Sequence, residues 1–226
     1  HKDEFYTYQS ITMALSNWGF KSLKTTFSAD GRVGDMKGYL IYATRYGSTK
    51  QVCQWISEGI PFSVSTRQVS DFPVDTVDFL ILGTPVFIGK PAEDMTVFIK
   101  RHKAALCRVP VFLFITSWAQ STEYRDACQG FLELLLHYLS PCVPVMTRSL
   151  PGKLLWDSLT TADRQAMQRL LRRIDARQPA FHSERIQWQD RRDRQQCRQF
   201  GEDIAAWLKE SLKRGEKGGQ RLRKET

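Results

Sequence analysis

The 226-residue sequence lacks several features that would assign it to a class at once. No C-x-x-C pair occurs among its five cysteines, Cys53, Cys107, Cys128, Cys142 and Cys197, so their spacing indicates neither zinc nor an iron–sulfur cluster. No apolar run approaches the roughly 18 residues that a membrane-spanning helix needs, and no basic-then-apolar signal segment opens the chain. From these absences we expect a soluble, cytoplasmic protein whose cysteines are reduced thiols in a core.

The familiar nucleotide-binding loops are absent as well. The sequence contains neither the G-x-x-x-x-G-K-[ST] loop of nucleoside triphosphatases nor G-x-G-x-x-G. His102, His137 and His182 stand far apart without the spacing of metal ligands, and we expect them on helix surfaces or in loops. We therefore predict no metal site and assign no catalytic side chain.

The net charge of +9 is concentrated in the C-terminal third of the chain. Residues 163–198 contain ten arginines against five acidic residues, and residues 209–226 contain seven basic residues against three acidic ones. Such an excess can attract anionic lipid, nucleic acid or an acidic protein, or it can be the solvated surface of a helix with a frayed tail. Composition does not choose among these, and nucleic acid is the partner that we expect least.

An apolar run stops abruptly in a hydroxyl-rich turn at residues 38–50. The run predicts a strand buried on both faces, and the pattern after the turn predicts a helix. Between them, Thr44, Ser48 and Thr49 offer hydroxyl groups, while Gly47 permits positive φ and close backbone approach. Free N–H groups at the start of the helix would point at an anion. The turn therefore predicts a phosphate site, with a mononucleotide as the best candidate ligand.

Buried runs and helical patterns alternate along the chain after this turn. Alternation at this spacing predicts a parallel, doubly wound α/β sheet. Pro91 is placed to open the helix after the third strand, with Glu93 and Asp94 at the positive end of its dipole. The predicted strands are 39–43, 62–66, 77–83, 109–116 and 143–148, and the predicted helices between them are 48–60, 91–106 and 122–139.

Three segments flank or interrupt the predicted domain of residues 37–212. An arginine-rich helical pattern starts at Thr160 or Thr161, after which a short strand at 185–188 and a helix through Leu208 return the chain to the domain. The three segments are an N-terminal appendage of unassigned structure (1–36), a late insertion (151–182) and a basic tail predicted to be disordered (213–226).

Three predicted loops leave the carboxyl ends of strands, which is where open parallel sheets bind ligands. The first, 44–49, offers hydroxyl and N–H groups to a phosphate. The second, 84–90, offers Phe87, and the third, 116–120, offers Trp118, as surfaces on which a flat aromatic ring can stack. Phosphate at one loop and rings at the other two describe flavin mononucleotide (FMN).

The same loops resemble those of a known family. Ala-Thr-Arg-Tyr-Gly-Ser-Thr at 43–49 resembles the first loop of the flavodoxin superfamily, and particularly of its menaquinone-dependent protoporphyrinogen oxidase branch, which carries Thr-Arg-x-Gly-x-Thr there. Arg45 favours that branch, while Tyr46 replaces the small hydroxyl residue usual in flavodoxins. Gly-Thr-Pro-Val-Phe-Ile-Gly at 83–89 is similar to the second flavin loop, and 150–208 resembles the oxidase branch in its late insertion and its final strand and helix.

The resemblance implies a flavodoxin-like fold with a five-stranded parallel sheet of strand order 2-1-3-4-5 and FMN at the three loops. It further implies an oxidoreductase that passes electrons from a reduced substrate, a tetrapyrrole, through FMN to a quinone, with the basic C-terminal region touching the inner face of a membrane. Two alternatives stay open: an electron carrier that docks an acidic redox partner, and a binding module without flavin. The predicted cofactor-binding residues are Thr44, Arg45, Tyr46, Gly47, Ser48, Thr49, Thr84, Pro85, Val86, Phe87, Ile88, Gly89, Thr116, Ser117 and Trp118.

Overall fold

The computed structural model describes residues 36–71, 77–121, 124–177 and 188–222. Some predictions fall outside these ranges: the appendage before residue 36, the end of the insertion, the first residues of the strand at 185–188, and the last four residues of the tail. The sheet and all three predicted ligand loops lie inside them.

The buried apolar runs form the sheet that the sequence predicts. Its strands are β1 (Lys37–Tyr42), β2 (Ser63–Gln68), β3 (Phe79–Phe87), β4 (Lys90–Pro91), β5 (Val111–Ser117) and β6 (Met146–Pro151). Within the described residues, the parallel strands follow the order β2-β1-β3-β5-β6, and β4 pairs antiparallel with the end of β3. Counted along the parallel strands alone, this confirms the predicted order 2-1-3-4-5. Central residues such as Leu40 and Ile81 are completely buried, as expected where helices cover both faces.

Helices cover the two faces of the sheet. They are α1 (Ser48–Glu58), α2 (Glu93–Leu106), α3 (Ala127–Leu139), α4 (Thr161–Arg177) and α5 (Arg194–Leu222). One core packs α1 and α5 against one face, and a second core packs α2 and α3 against the other. Gly59 and Gly201 allow α1 and α5 to approach closely, because a Cβ atom at either position would lie 2.2 Å from a backbone oxygen of the facing segment.

The predicted start of the helix after the third strand is wrong. Pro91 does not open a helix, because it pairs with Val86 in β4 and the following N–H, that of Ala92, donates to the Pro85 carbonyl at 3.1 Å. Helix α2 therefore starts at Glu93, with Asp94 also in its first turn as predicted. Helix α5 runs past residue 213, where the predicted tail begins, and ends at Leu222; Leu212 packs against the core.

The prediction of reduced core cysteines is correct for some of the five and wrong for two. Cys107 and Cys142 form a disulfide, with their Cα atoms 5.0 Å apart. The end of α2 and the turn before β6 meet there although 35 residues separate the two cysteines, a proximity that spacing alone does not reveal. Cys53, Cys128 and Cys197 are free and buried. Burial raises the pKa of Cys197 to about 12 and that of Cys53 well above its ordinary value, so both are protonated core thiols.

The insertion forms a small layer of its own beside the sheet. Strands β7 (Lys153–Leu155) and β8 (Trp188–Asp190) pair antiparallel, and α4 lies between them in sequence. Strand β8 starts where the predicted strand at 185–188 ends. Leu154, Leu159, Met167 and Leu171 form the apolar centre of this layer. None of the helices in the described part of the chain is long and apolar enough to cross a membrane.

Candidate functional site

A cavity opens at the carboxyl edge of the sheet, where β1, β3 and β5 end. It brings together two sets of residues, one from the predicted loops and one from the insertion. From the loops come Thr44, Arg45, Tyr46, Ser48, Thr49, Pro85, Val86, Phe87, Thr116 and Trp118. From the insertion come Gly152, Lys153, Leu154, Leu155, Ser158, Leu159 and Met167.

The turn between β1 and α1 has the geometry of an anion cradle. Gly47 adopts φ 76°, which L side chains rarely adopt, and it caps α1 without a side-chain hydrogen bond. The first turn of α1 contains no acidic residue, so the positive end of the helix dipole is not neutralised from within the helix. The hydroxyls Thr44 Oγ1 and Ser48 Oγ are buried and have no hydrogen-bond partner. Two hydroxyl residues without partners therefore line the cavity at the start of α1, where the first-turn amides of a helix also lack partners within it.

Thr49 differs from the other two hydroxyl residues of the turn. It is completely buried, and its Oγ1 lies 3.0 Å from Thr116 Oγ1, so that α1 is joined to β5. Thr49 and Thr116 line the cavity, but each hydroxyl already has the other as a partner.

The second predicted loop is a β-hairpin rather than a loop. Residues 84–87 continue β3, the turn at Ile88 and Gly89 has φ of 50° and 73°, and β4 follows directly. Thr84 is completely buried; its Oγ1 accepts a hydrogen bond from the Ala92 N–H at 3.1 Å and donates to the Pro85 carbonyl. The hairpin thus presents Pro85, Val86 and Phe87 to the cavity, while Thr84, Ile88 and Gly89 are not among the residues that line it.

The third predicted loop contributes Trp118. Ser117 ends β5; its Oγ accepts from the Ala119 N–H at 3.2 Å and its carbonyl from the Gly152 N–H at 2.9 Å. Neither Ser117 nor Gly47 lines the cavity, although both shape segments that do. Gly152 passes close to the third loop, since a Cβ atom there would lie 2.9 Å from the Ser117 carbonyl carbon.

The sequence reasoning missed the second wall of the cavity. Leu154, Leu159 and Met167 form an apolar surface against which Phe87 and Trp118 pack. The sequence signal for this wall was the predicted strand at 143–148, because residues that follow a parallel strand start from the same edge of the sheet as the other loops; the observed strand β6 ends at Pro151. On this wall, the half-buried Lys153 has its Nζ 3.7 Å from Asp190 Oδ2.

A buried carboxylate joins the insertion to the turn of residues 44–49, the predicted phosphate turn. Asp163 Oδ2 and Oδ1 accept from Arg45 Nε and Nη2, each at 2.6 Å, and the Tyr46 hydroxyl donates to Oδ2 at short range. The hydrogen bond from Arg45 holds the pKa of Asp163 below its usual value, and the same bond raises the pKa of Arg45. The Arg45 guanidinium also lies 5.2 Å from the centroid of the Phe87 ring. No sequence signal pointed to Asp163, which is 118 positions from Arg45.

A family model described as the flavodoxin domain matches residues 39–180. The chain belongs to the flavodoxin-domain family. The match covers more than half of the sequence, including the three predicted loops, Asp163 and most of the insertion.

Solved structures similar to this flavodoxin-domain chain have low sequence identity with it. An archaeal flavodoxin is 18% identical, covers 77% of this chain and 99% of its own, and has a TM-score of 0.46. The flavodiiron core of Flv1 from Synechocystis sp. is 15% identical, covers 78% of this chain and 36% of its own, and has a TM-score of 0.44. A Lactobacillus acidophilus flavoprotein in complex with FMN is 16% identical, covers 51% of this chain and 93% of its own, and has a TM-score of 0.37. No curated protein matches the sequence.

The described part of this flavodoxin-domain chain contains no cluster of three His, Cys, Asp or Glu side chains able to hold a metal ion. His102 lies against Phe98, with ring centroids 4.7 Å apart, and burial lowers its pKa. His137 lies near the end of α3, and His182 is outside the described residues. Neither His102 nor His137 lines the cavity.

Proposed function

We propose that the chain is an FMN-dependent oxidoreductase. The observation that carries the proposal is the pair of buried hydroxyls, Thr44 Oγ1 and Ser48 Oγ, which lack partners at the start of α1. Buried hydroxyls without a partner are costly, and a phosphate at the helix N-terminus would satisfy both. The flavodoxin-domain match, and the FMN named with the Lactobacillus acidophilus flavoprotein, support the same ligand.

The residues present fit this cofactor. Thr44, Ser48 and the first-turn amides of α1 would hold the phosphate, while Phe87 and Trp118 would bind and shield the ring. Bound FMN supplies hydride and single-electron transfer, so that the protein has only to bind it, orient it and tune it. The apolar wall of Leu154 and its neighbours excludes water from the ring side of the cavity.

Charge in the cavity favours the reduced cofactor. Lys153 lines the cavity, and its half-buried ammonium group is only partly offset by Asp190, at 3.7 Å. Reduced flavin carries more negative charge than oxidised flavin, so a nearby cation stabilises it. Reduction of FMN should therefore be easier here than in a site lined by carboxylates.

For the substrate, we infer a reduced tetrapyrrole of the protoporphyrinogen type as electron donor and a quinone as acceptor. The support is the apolar wall of Leu154, Leu155, Leu159 and Met167, which lines the cavity opposite the predicted flavin loops. Large, mainly apolar ring systems fit such a wall. We further propose that the basic C-terminal region contacts a membrane surface, which would give a membrane quinone access to the cavity.

The second candidate is an electron carrier without a small-molecule substrate. It is favoured by the exposed arginines Arg169, Arg172 and Arg173 on α4, the helix that contributes Met167 to the cavity lining. An acidic redox partner would be steered to such a surface. The third candidate is a flavin-free binding module. It leaves the two hydroxyls without partners in the phosphate turn unexplained.

Spectra and turnover distinguish these candidates. We expect the purified protein, or the protein reconstituted with FMN, to show a bound-flavin absorption spectrum and quenched flavin fluorescence; failure of both would leave only the flavin-free module. Anaerobic oxidation of a porphyrinogen with a menaquinone analogue as acceptor supports the oxidase. Bound flavin without this turnover, together with fast electron exchange with an acidic redox protein, supports the carrier.

A further inference from the structure

Asp163 is a buried carboxylate beside the cavity. Its side chain is only 8% exposed, and it accepts two hydrogen bonds of 2.6 Å from Arg45 and a third from the Tyr46 hydroxyl. Paired fork-shaped contacts of this kind fix the orientation of both partners. Asp163 itself does not line the cavity, whereas Arg45 and Tyr46 do.

The first turn of α4 is built to hold Asp163 in this place. Thr160 Oγ1 accepts a hydrogen bond from the Asp163 N–H at 3.2 Å, as a helix cap does, and the Thr160 N–H donates to the Tyr46 hydroxyl at 3.2 Å. The cap of α4 and the phosphate turn thus bind one another through side chain and backbone. These contacts are the means by which the insertion is joined to residues 44–49.

The contacts continue from Arg45 and Tyr46 to the ring side of the cavity. The Arg45 guanidinium lies 5.2 Å from the Phe87 ring centroid, and the Tyr46 ring lies 6.0 Å from it. Asp163 therefore fixes two side chains that reach both the phosphate turn and the hairpin of Phe87. A change at Asp163 would loosen both ends of the proposed flavin site.

We propose that Asp163 is a positioning residue for the cofactor: it holds Arg45 and Tyr46, and through them the phosphate turn, in the conformation that binds FMN. The inference rests on the proposed function. A turn that is ordered before the ligand arrives binds more tightly, because its ordering does not have to be offset by binding energy. The Arg45–Asp163 pair also leaves little net charge beside the phosphate site, so hydroxyl and amide groups are the ones that bind the phosphate.

Substitutions at the two partners of the ion pair change the charge beside the phosphate site in opposite directions, so their FMN affinities distinguish positioning from charge attraction. Asp163→Asn loosens the turn but frees the Arg45 cation, which by charge alone would attract a phosphate. Arg45→Gln loosens the turn and also leaves the Asp163 carboxylate unpaired, which would repel a phosphate. Positioning therefore predicts weaker FMN binding in both variants, with the larger loss for Arg45→Gln. Pure charge attraction predicts tighter binding for Asp163→Asn.

The test is FMN titration of the apoprotein, followed by flavin fluorescence, in wild type and variants. For Asp163→Asn we expect the dissociation constant to rise about tenfold, the size of a coupling between residues in one hydrogen-bond network. Two matched controls should leave it within about twofold, as sites without shared partners do. Asp157→Asn removes an exposed charge from the same segment, and Asp203→Asn breaks a remote arginine pair, that with Arg148 at 2.7 Å.

Amide hydrogen exchange of the apoprotein gives a readout that does not depend on FMN. The Gln51 N–H donates to the Gly47 carbonyl at 3.2 Å and the Arg164 N–H to the Thr160 carbonyl at 2.8 Å, one on each side of the contact. Both amides should exchange faster in Asp163→Asn than in wild type, and their exchange rates should be unchanged in Asp203→Asn. If Asp163→Asn proves too unstable to study, Tyr46→Phe removes one of the three hydrogen bonds to Asp163, together with the one from the Thr160 N–H, and leaves the Arg45 pair in place. It should show the same changes at smaller amplitude.

The outcomes separate the inference from the function on which it rests. Wild type that binds no FMN contradicts the proposed function. Wild type that binds FMN, with Asp163→Asn binding equally well or more tightly, overturns the positioning role. Faster exchange with unchanged FMN affinity would also overturn it, since Asp163 would then stabilise the fold without setting the site.

Discussion

At the scale of single residues, the hydroxyls of the phosphate turn divide into free and occupied groups. Thr44 Oγ1 and Ser48 Oγ have no partner, whereas Thr49 Oγ1 bonds Thr116. We predict that Thr44→Val and Ser48→Ala each weaken FMN binding about tenfold or more, the value of a hydrogen bond to a charged group. Neither variant should lower the free energy of unfolding, because each removes a buried hydroxyl without a partner. Flavin fluorescence titration and urea unfolding measure the two effects.

Thr49→Val is the contrasting variant. It leaves the buried Thr116 hydroxyl without its partner, so the free energy of unfolding should fall by about 1–3 kcal/mol, with a smaller effect on FMN affinity. If Thr49→Val abolished FMN binding while Thr44→Val and Ser48→Ala left it intact, the phosphate would have to lie elsewhere.

The pH dependence of stability should report Asp163. Its pKa in the folded protein is lowered, chiefly by the hydrogen bond from Arg45, below the value of 3.8 from which it starts. The unfolded state therefore binds the proton more readily, and stability falls as pH falls. Urea unfolding should give wild type a constant advantage over Asp163→Asn above about pH 5, where the unfolded carboxyl is ionised. That advantage should shrink below about pH 4, as the folded carboxyl takes up its proton. An advantage that grows toward acid would contradict the assignment.

Sequence reasoning found the residues of the cavity better than their roles. The residue types of the phosphate turn pointed to an anion, and ten of the fifteen predicted residues line one cavity. Thr84 and Ser117 have the right chemistry, but alternation along a strand turns their hydroxyls toward their own backbone. Asp163 could not be found, because pairing with Arg45 depends on how the insertion folds back over the sheet edge.

At the scale of elements, close packing of α1 against α5 depends on two glycines. A Cβ atom at Gly59 would lie 2.2 Å from the Arg198 carbonyl oxygen, and one at Gly201 would lie 2.2 Å from that of Ile56. Backbone atoms cannot move aside as a side chain can. We predict that Gly59→Ala or Gly201→Ala lowers the free energy of unfolding by about 1–3 kcal/mol, measured by urea unfolding.

Gly130 provides the control for these two substitutions. It lies in α3, is exposed, and a Cβ atom there would meet nothing within 4 Å. Gly130→Ala should therefore raise the free energy of unfolding by about 0.5–1 kcal/mol through helix propensity. Equal effects at all three glycines would show that the α1–α5 contact is looser than described.

Elements were predictable where local pattern and tertiary setting agree. The runs at 39–43 and 109–116 are apolar on both faces, so they fit strands in a sheet that helices cover on each side. Connections through helices between such strands make the strands parallel. Prediction failed at 84–91, where turn residues and Pro91 indicate a loop and a helix start but pairing with the end of β3 makes a hairpin. It failed too at Cys107 and Cys142, whose meeting depends on the packing of α2 beside α3.

At the scale of the whole molecule, one sheet edge organises the chain. The three predicted loops all begin at this edge, because parallel strands place their carboxyl ends together. The insertion begins there as well, because β6 ends at Pro151. The Asp163 contacts then tie the first loop to the last segment of the matched domain. Core and insertion should consequently respond to a ligand as one unit.

Ligand linkage tests this unity. FMN at about 100 times its dissociation constant should raise the free energy of unfolding by about 2.7 kcal/mol, and a tenfold loss of affinity at the same FMN concentration should reduce that gain to about 1.4 kcal/mol. Ser48→Ala, compared at the same FMN concentration, should show the smaller gain. Hydrogen exchange of peptides from α1 and α4 should slow together on FMN binding, because the Arg45–Asp163 pair joins them. Protection confined to α1 would mean that the insertion opens on its own, and the unity of core and insertion would be wrong even if FMN binds.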